Sequence, residues 1–255
     1  RALAERNAEI RVRICESDVP AETIDLLDGL LSWGAQGIAL CALNDIMIEA
    51  RVNELAEQGI PCTTFNSDLP ESRRVCFVGQ DYAKSGRIAA ELLSKCIPQN
   101  GKVLAMVGNM EYNGHRTRLD GFCAHLHDKG FYADQIEVVE TYNDYRVTYN
   151  KVTEALHNMP GLRAIYMANR SVTGCIDAVK AAGMTGQIRV IAHDMSPRRR
   201  QMLREGSLDL TITQDLYRQG YQPLMLLCDL LQKQQEPETD LQSTNISIIC
   251  AENLD

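Results

Sequence analysis

Short apolar runs alternate with longer amphipathic stretches along almost the whole chain. The runs at 10–15, 37–41, 61–65, 75–78, 102–107, 136–141, 163–167, 188–192, 209–213 and 246–250 predict strands. Stretches at 21–33, 45–58, 83–93, 113–129, 146–158, 172–182, 197–205 and 216–232 predict helices between most of them. Such alternation implies βαβ units, parallel sheets and an α/β fold. The runs IALCAL, VLAMVG and RAIYMA are apolar throughout, as expected of strands covered by helices on both faces. Pro20 stands just before the first long helix, where its missing N–H costs nothing. Gly34, Gly59, Gly130, Gly183 and Gly206 each follow a helix, where a left-handed residue closes the last turn. The polar stretch 232–243 predicts a loop crossing between parts of the fold. The opening, 1–7, reads as the tail of a helix. The pattern therefore predicts a first strand, its loop and most of a helix before residue 1, on the order of 20–25 residues. The innermost strand of the first sheet would then be missing, which bears on function because ligands bind at the carboxyl ends of such strands.

The 255 residues, 45% hydrophobic, suffice for one large or two small domains. A net charge of −8 argues against this segment gripping a phosphate backbone by itself. Its one basic run, Arg198-Arg199-Arg200, reads as a solvated helix face rather than an anion site. Neither a membrane-spanning run nor a signal peptide is visible. The nine cysteines are odd in number, none is spaced C-x-x-C, and most sit in apolar contexts where a thiol behaves as a small hydrophobe. That usage points to a reducing, cytoplasmic compartment rather than export. No nucleophile elbow, P-loop or H-E-x-x-H motif is present, so neither an enzyme nor a cofactor is expected. His125 and His127, two apart on a helix, make a poor metal pair, and no metal site is expected.

From about Asp25 onward a series of segments falls in a recognisable order. They are GAQGIAL (34–40), GIPCTTFNSD (59–68), VGQDYAKSGRIAAELL (78–93), GHRTRLDGF (114–122), ANRSVTGCIDAVKAAGM (168–184), RVIAHDMSP (189–197) and LTITQDLYRQGYQPL (210–224). In order and spacing, over about nine-tenths of the sequence, they resemble the periplasmic sugar-binding protein superfamily, including the effector domains of LacI-type repressors. The resemblance implies two doubly wound parallel-sheet lobes of the type I kind, with a ligand between them. Three crossovers are implied, near Asp81, Gln214–Asp215 and Ser243–Ile246. The lobes would comprise 1–80 plus 215–243, and 81–214 plus 244–255.

Adjacent sugar hydroxyls are best gripped by planar groups: Arg as a donor fork, Asp as a double acceptor, Asn and Gln as one of each. By resemblance to the ribose-binding branch, Arg116, Asn169, Asp194 and Gln214 fall on ligand-binding positions after successive strands. Bland alternatives stay open for each. The bland reading of Arg116 is a helix-start cation, which the positive helix N-terminus disfavours; that of Asp194 is a cap of the helix that follows, and for both ligand contact is favoured. Asn169 serves equally as a cap of its following helix, and Gln214 as a hinge hydrogen-bonder. In the first lobe, Asn66-Ser67 followed by Asp68 stands where ribose-type binders place Asp-Arg; Asn66 and Asp68 remain ligand candidates, but an ionic gripping pair is lost. Tyr112 and Tyr145 are candidates to cover a sugar's C–H face, and a partly exposed loop tyrosine is an equal reading of each. The leading expectation is the sugar- or polyol-binding, homodimeric effector domain of a LacI-type regulator, with no membrane partner. DNA would be bound only through an N-terminal helix-turn-helix outside this sequence. The alternative is an exported sugar-binding protein of a transporter, or a sensor ectodomain.

Overall fold

The computed structural model describes residues 6–17, 19–110 and 112–254. The chain divides into two compact units, 1–80 with 215–245 and 81–214 with 246–255. It passes between them at Gln80–Asp81, Gln214–Asp215 and Asn245–Ile246. Both units are α/β with mainly parallel sheets, the fold class expected from the alternating pattern.

Unit 1 holds helices α1 (Pro20–Trp33) and α2 (Ile46–Glu57), with strands β1 (Ile38–Leu40), β2 (Cys62–Phe65) and β3 (Phe77–Gly79). Unit 2 follows with α3 (Tyr82–Cys96), β4 (Lys102–Val107), α4 (Asn113–Asp128), β5 (Ile136–Glu140), α5 (Tyr145–Asn158), β6 (Leu162–Ala168), α6 (Val172–Ala181), β7 (Arg189–His193), α7 (Pro197–Arg204) and β8 (Leu210–Gln214). The chain returns to unit 1 for α8 (Leu216–Lys233) and β9 (Leu241–Ser243), then ends in unit 2 with β10 (Ile246–Ile249). Unit 1's sheet runs β1-β2-β3-β9, all parallel. Unit 2's sheet runs β10-β8-β7-β6-β4-β5, with only β10 antiparallel.

Strand alternation builds unit 2's core on both faces. Val103, Ala105 and Val107 of β4 join Ala164 and Tyr166 of β6 against Phe122 of α4. Leu104 and Met106 point the other way, with Ile165 and Met167, onto Val152 of α5 and Val179 of α6. Short polar side chains start the helices by accepting from backbone N–H groups. Asp81 caps α3, Asp144 caps α5, Ser196 caps α7 and Asp215 caps α8. Helices α3 and α4 touch through glycine. A Cβ on Gly86 would lie 1.9 Å from the Arg118 carbonyl oxygen, and one on Gly121 would lie 2.2 Å from that of Ala83.

Three expectations need correction. The run 10–15 joins no strand, and Ile10, Val12 and Ile14 stand exposed. Among the described residues β1 pairs only with β2, so the run has no neighbouring ladder to satisfy its backbone and no sheet face for its side chains. It instead borders, with α1, β1 and α8, a groove of about 1220 Å³. The polar stretch 232–243 is not all loop, since Leu241–Ser243 forms β9 beside β3. The cysteines are less uniformly buried than their contexts suggest: Cys15, Cys41 and Cys96 are exposed, and all nine are unpaired thiols. The expected helix tail at 1–7 falls mostly outside the described residues.

Candidate functional site

The carboxyl ends of parallel strands gather polar loops and helix N-termini, which is where ligands of open α/β sheets bind. In unit 2 this edge is built from the ends of β4 to β8. Asp194 follows β7 with φ of 63°, a left-handed conformation that Asp tolerates better than most residues but that still costs about 1–3 kcal/mol. Its fastenings offset that cost. The Asp194 N–H donates to the Ile212 carbonyl at 2.8 Å, and its carbonyl accepts from Thr211 Oγ1 at 2.8 Å. Gln214, at the end of β8, donates through Nε2 to Asp194 Oδ1 at 2.8 Å. The structure thus joins two of the sequence-predicted residues, and Ser196 rather than Asp194 caps α7.

Asn169, after β6, is buried and holds the loops together. Its Nδ2 donates to Thr141 Oγ1 at 2.7 Å, and its Oδ1 accepts from the backbone N–H and hydroxyl of Ser171. Arg116 lies apart from this group, exposed, with Nε and Nη2 both donating to the Met110 carbonyl at 3.2 and 2.9 Å. Tyr145 is also exposed, its hydroxyl donating to Asp177 Oδ2 at 3.0 Å and its ring stacked on Tyr149. Tyr112 packs its ring against His115.

Arg118 is the residue that sequence reasoning missed. It is buried, its guanidinium carbon lies 4.8 Å over the Tyr82 ring, and its Nε donates to Ser85 Oγ at 3.2 Å. The stripe Leu119, Phe122 and Leu126 marks the buried face of α4, and Arg118 sits beside it, whereas Arg116 is turned away. His193 is buried at the end of β7, with Nε2 2.7 Å from the Tyr166 hydroxyl and Nδ1 without a hydrogen-bond partner among the described residues. Burial, then Arg118, Arg199 and His115, hold the His193 imidazole well below its ordinary pKa and keep it neutral. Burial raises the Tyr166 phenol, so that hydroxyl keeps its proton.

In unit 1, Asn66 follows β2, also left-handed with φ of 60°, and its Nδ2 donates to Gln219 Oε1 at 3.1 Å. Asp68 is committed to structure. It accepts from Thr64 Oγ1 at 2.6 Å and the Leu69 N–H at 2.8 Å, and pairs with the buried Arg74 through both oxygens. Arg74 also bonds Asp240, and the two carboxylates raise its pKa further despite its burial. A separate hollow of about 380 Å³ lies at the amino end of β4, beside Lys102, Lys151 and Glu154, away from all these groups.

The sequence pattern of the periplasmic binding protein domain family matches residues 1–235. The chain belongs to this family. Among curated members of the superfamily, it is 20% identical over 217 residues to the xylose/arabinose-binding protein of Sulfolobus acidocaldarius, covering 79% of this chain and 53% of that one. It is 24% identical over 218 residues to the D-allose-binding periplasmic protein of Escherichia coli, covering 81% and 69%. The chain thus spans from about half to about two thirds of the length of these relatives. The crystal structure of a sugar ABC transporter's sugar-binding protein from Bacillus halodurans superposes with a TM-score of 0.89 at 24% identity, covering 99% of this chain and 90% of that one.

Proposed function

We propose that the chain is the ligand-binding part of an exported sugar-binding protein that serves a transporter or a sensor, and that it binds its ligand without turnover. The observation that carries this reading is Asp194, a carboxylate held in a left-handed turn at a strand end with one oxygen fixed by Gln214. A double acceptor so oriented matches two adjacent hydroxyls of a sugar or polyol. The names of the relatives, all sugar-binding, support the ligand class, and the transporter setting of the Bacillus halodurans protein supports export over regulation. In this proposal Asp194, Gln214 and the buried Arg118 contact the ligand, and Asn169 shapes the loop beside it.

A thermal-shift panel of monosaccharides and polyols tests it. At a ligand concentration 100-fold over Kd, binding stabilises the folded chain by about 2.7 kcal/mol. At least one sugar is expected to raise the melting temperature, and Asp194→Ala is expected to abolish that rise. A flat panel, or a rise that Asp194→Ala leaves intact, removes the reading. The nine unpaired thiols favour a second reading, the cytoplasmic, dimeric effector domain of a LacI-type regulator whose helix-turn-helix contacts DNA. The coding sequence upstream of residue 1 separates the two: a signal peptide supports export, and a helix-turn-helix supports regulation.

A further inference from the structure

The basic run that reads as a solvated helix face is not one at its middle position. Arg199 is only 9% exposed, although it opens the short helix α7 between two other arginines. Its side chain reaches over the carboxyl edge of the sheet to the loop after β6, where Nη2 donates to the Arg170 carbonyl at 3.2 Å. That is the guanidinium's one hydrogen bond among the described residues, and no carboxylate there forms an ion pair with it. A buried cation without a counter-charge is costly, and proteins ordinarily pair it. Among the described residues Asp194 is the acid that favours the charged Arg199, and Gln214 engages its carboxylate instead.

Two further groups add hydrogen-bond donors to the same edge, one of them cationic. Arg170 directly follows Asn169, is exposed, and has no side-chain partner among the described residues; its charge opposes that of Arg199. His193 is 2% exposed, and its Nδ1 has no partner among the described residues. The protonated Tyr166 hydroxyl can donate to Nε2 at 2.7 Å, which leaves the proton of a neutral ring on Nδ1 as an unmet donor. In a chain of net charge −8, three donor groups with too few acceptors at one strand edge are a local exception.

We propose that Arg199, Arg170 and His193 form an anion subsite beside Asp194, so that the ligand is a sugar or polyol bearing a carboxylate or phosphate group. The inference rests on the sugar-binding reading and names its ligand class more narrowly. The hydroxyls would be met by Asp194 and Gln214, and the anionic group would supply Arg199 with a counter-charge that no described residue pairs with it. Arginine suits this role because its planar fork matches two oxygens of either anion.

Calorimetric titration of the full chain with glucose, gluconate, glucuronate and glucose 6-phosphate, and with the equivalent galactose series, tests the proposal. At least one anionic sugar is expected to bind about tenfold or more tightly than its neutral counterpart, the increment of one or two charge-assisted hydrogen bonds. Whether the acids or the phosphates gain identifies the source of the charge. Arg199→Gln is expected to erase the preference while leaving any affinity for the neutral sugar in place. Because Arg199 is buried, the exposed Arg170→Gln provides an independent variant, expected to reduce the preference without altering thermal stability. Equal affinity for neutral and anionic sugars overturns the anion subsite alone. A preference that survives in both variants places the anion elsewhere and overturns it too. Absence of binding by every sugar removes the sugar-binding reading, and this inference with it.

Discussion

At the scale of single residues, the site shows how far side-chain chemistry could be read without coordinates. The strand-end placement of Asn66 and Asp194 was legible, and Asn and Asp tolerate the left-handed backbone that both adopt. Arg116 and Arg118 were separable only by helix phase, which the apolar stripe of α4 supplies once the helix is known to pack on that face. The Tyr166–His193 pair was invisible, because its partners lie 27 residues apart on neighbouring strands. That pair has a measurable consequence for stability. Burial and the surrounding Arg118, Arg199 and His115 place the folded pKa of His193 well below the ordinary value of about 6.5. Above that value both folded and unfolded states hold a neutral ring. As pH falls through it, the unfolded chain takes up a proton that the folded chain refuses, so stability falls by up to about 1.4 kcal/mol per pH unit. The loss ends only below the folded pKa. His115, also lowered by burial, acts in the same direction in every variant and cancels in a comparison. Urea denaturation between about pH 7.5 and about pH 5.5 is expected to show a shallower decline for His193→Phe than for the wild type. Parallel declines would mean that His193 does not resist protonation.

At the scale of elements, the glycines that carry the family resemblance are also those where helices touch. Gly86 lies in VGQDYAKSGRIAAELL and Gly121 in GHRTRLDGF, and each meets the backbone of the opposite helix in the α3–α4 pair. Their contact fixes Arg118, whose carbonyl lies against Gly86. A methyl group at Gly86 would sit 1.9 Å from that oxygen, so the helices must separate to admit it. Gly86→Ala is therefore expected to destabilise unit 2 by about 1–3 kcal/mol or more, against a helix-propensity gain of only about 1 kcal/mol. Gly29, mid-helix in α1 with nothing within 4 Å of a built Cβ, provides the contrast. Gly29→Ala is expected to stabilise by about 0.5–1 kcal/mol in the same denaturation assay. Similar effects at both positions would mean that the α3–α4 approach is not tight. Long, strongly patterned elements were read correctly, because their period reports burial directly. β9 was missed because Leu-Gln-Ser carries no apolar pattern, and only its ladder with β3 makes it a strand. The run at 10–15 failed for the opposite reason: its pattern suits a strand, yet no neighbour is present among the described residues to complete a ladder.

At the scale of the whole molecule, the two units differ in how they are held together. Unit 2 has six strands, with buried side chains on both faces of β4, β6 and β7, and its residues 103–107 are all fully buried. Unit 1 has four strands of three or four residues each, one smaller buried cluster, and a groove beside β1. Arg74, tied to Asp68 and Asp240, joins the β2–β3 connection to the residue just before β9, so an ion-pair cluster stands where longer strands would otherwise pack. Opening free energies within one protein follow such differences, because amides exchange through the cheapest unfolding that exposes them. Amides of β4, β6 and β7 are therefore expected to exchange with the slowest, global kinetics. Those of β1, β2 and β3 are expected to exchange faster, with β1, at the sheet edge beside the groove, the fastest of the three. Hydrogen exchange read by mass spectrometry on the unliganded chain decides the matter. If β1 to β3 were protected as strongly as β4 and β6, unit 1's short strands would resist opening as well as the larger sheet does. The ordering also bears on the proposed site. Its best-fastened groups, Asp194, Gln214 and Asn169, belong to the unit expected to be the more rigid, where a preformed acceptor loses little entropy when ligand binds.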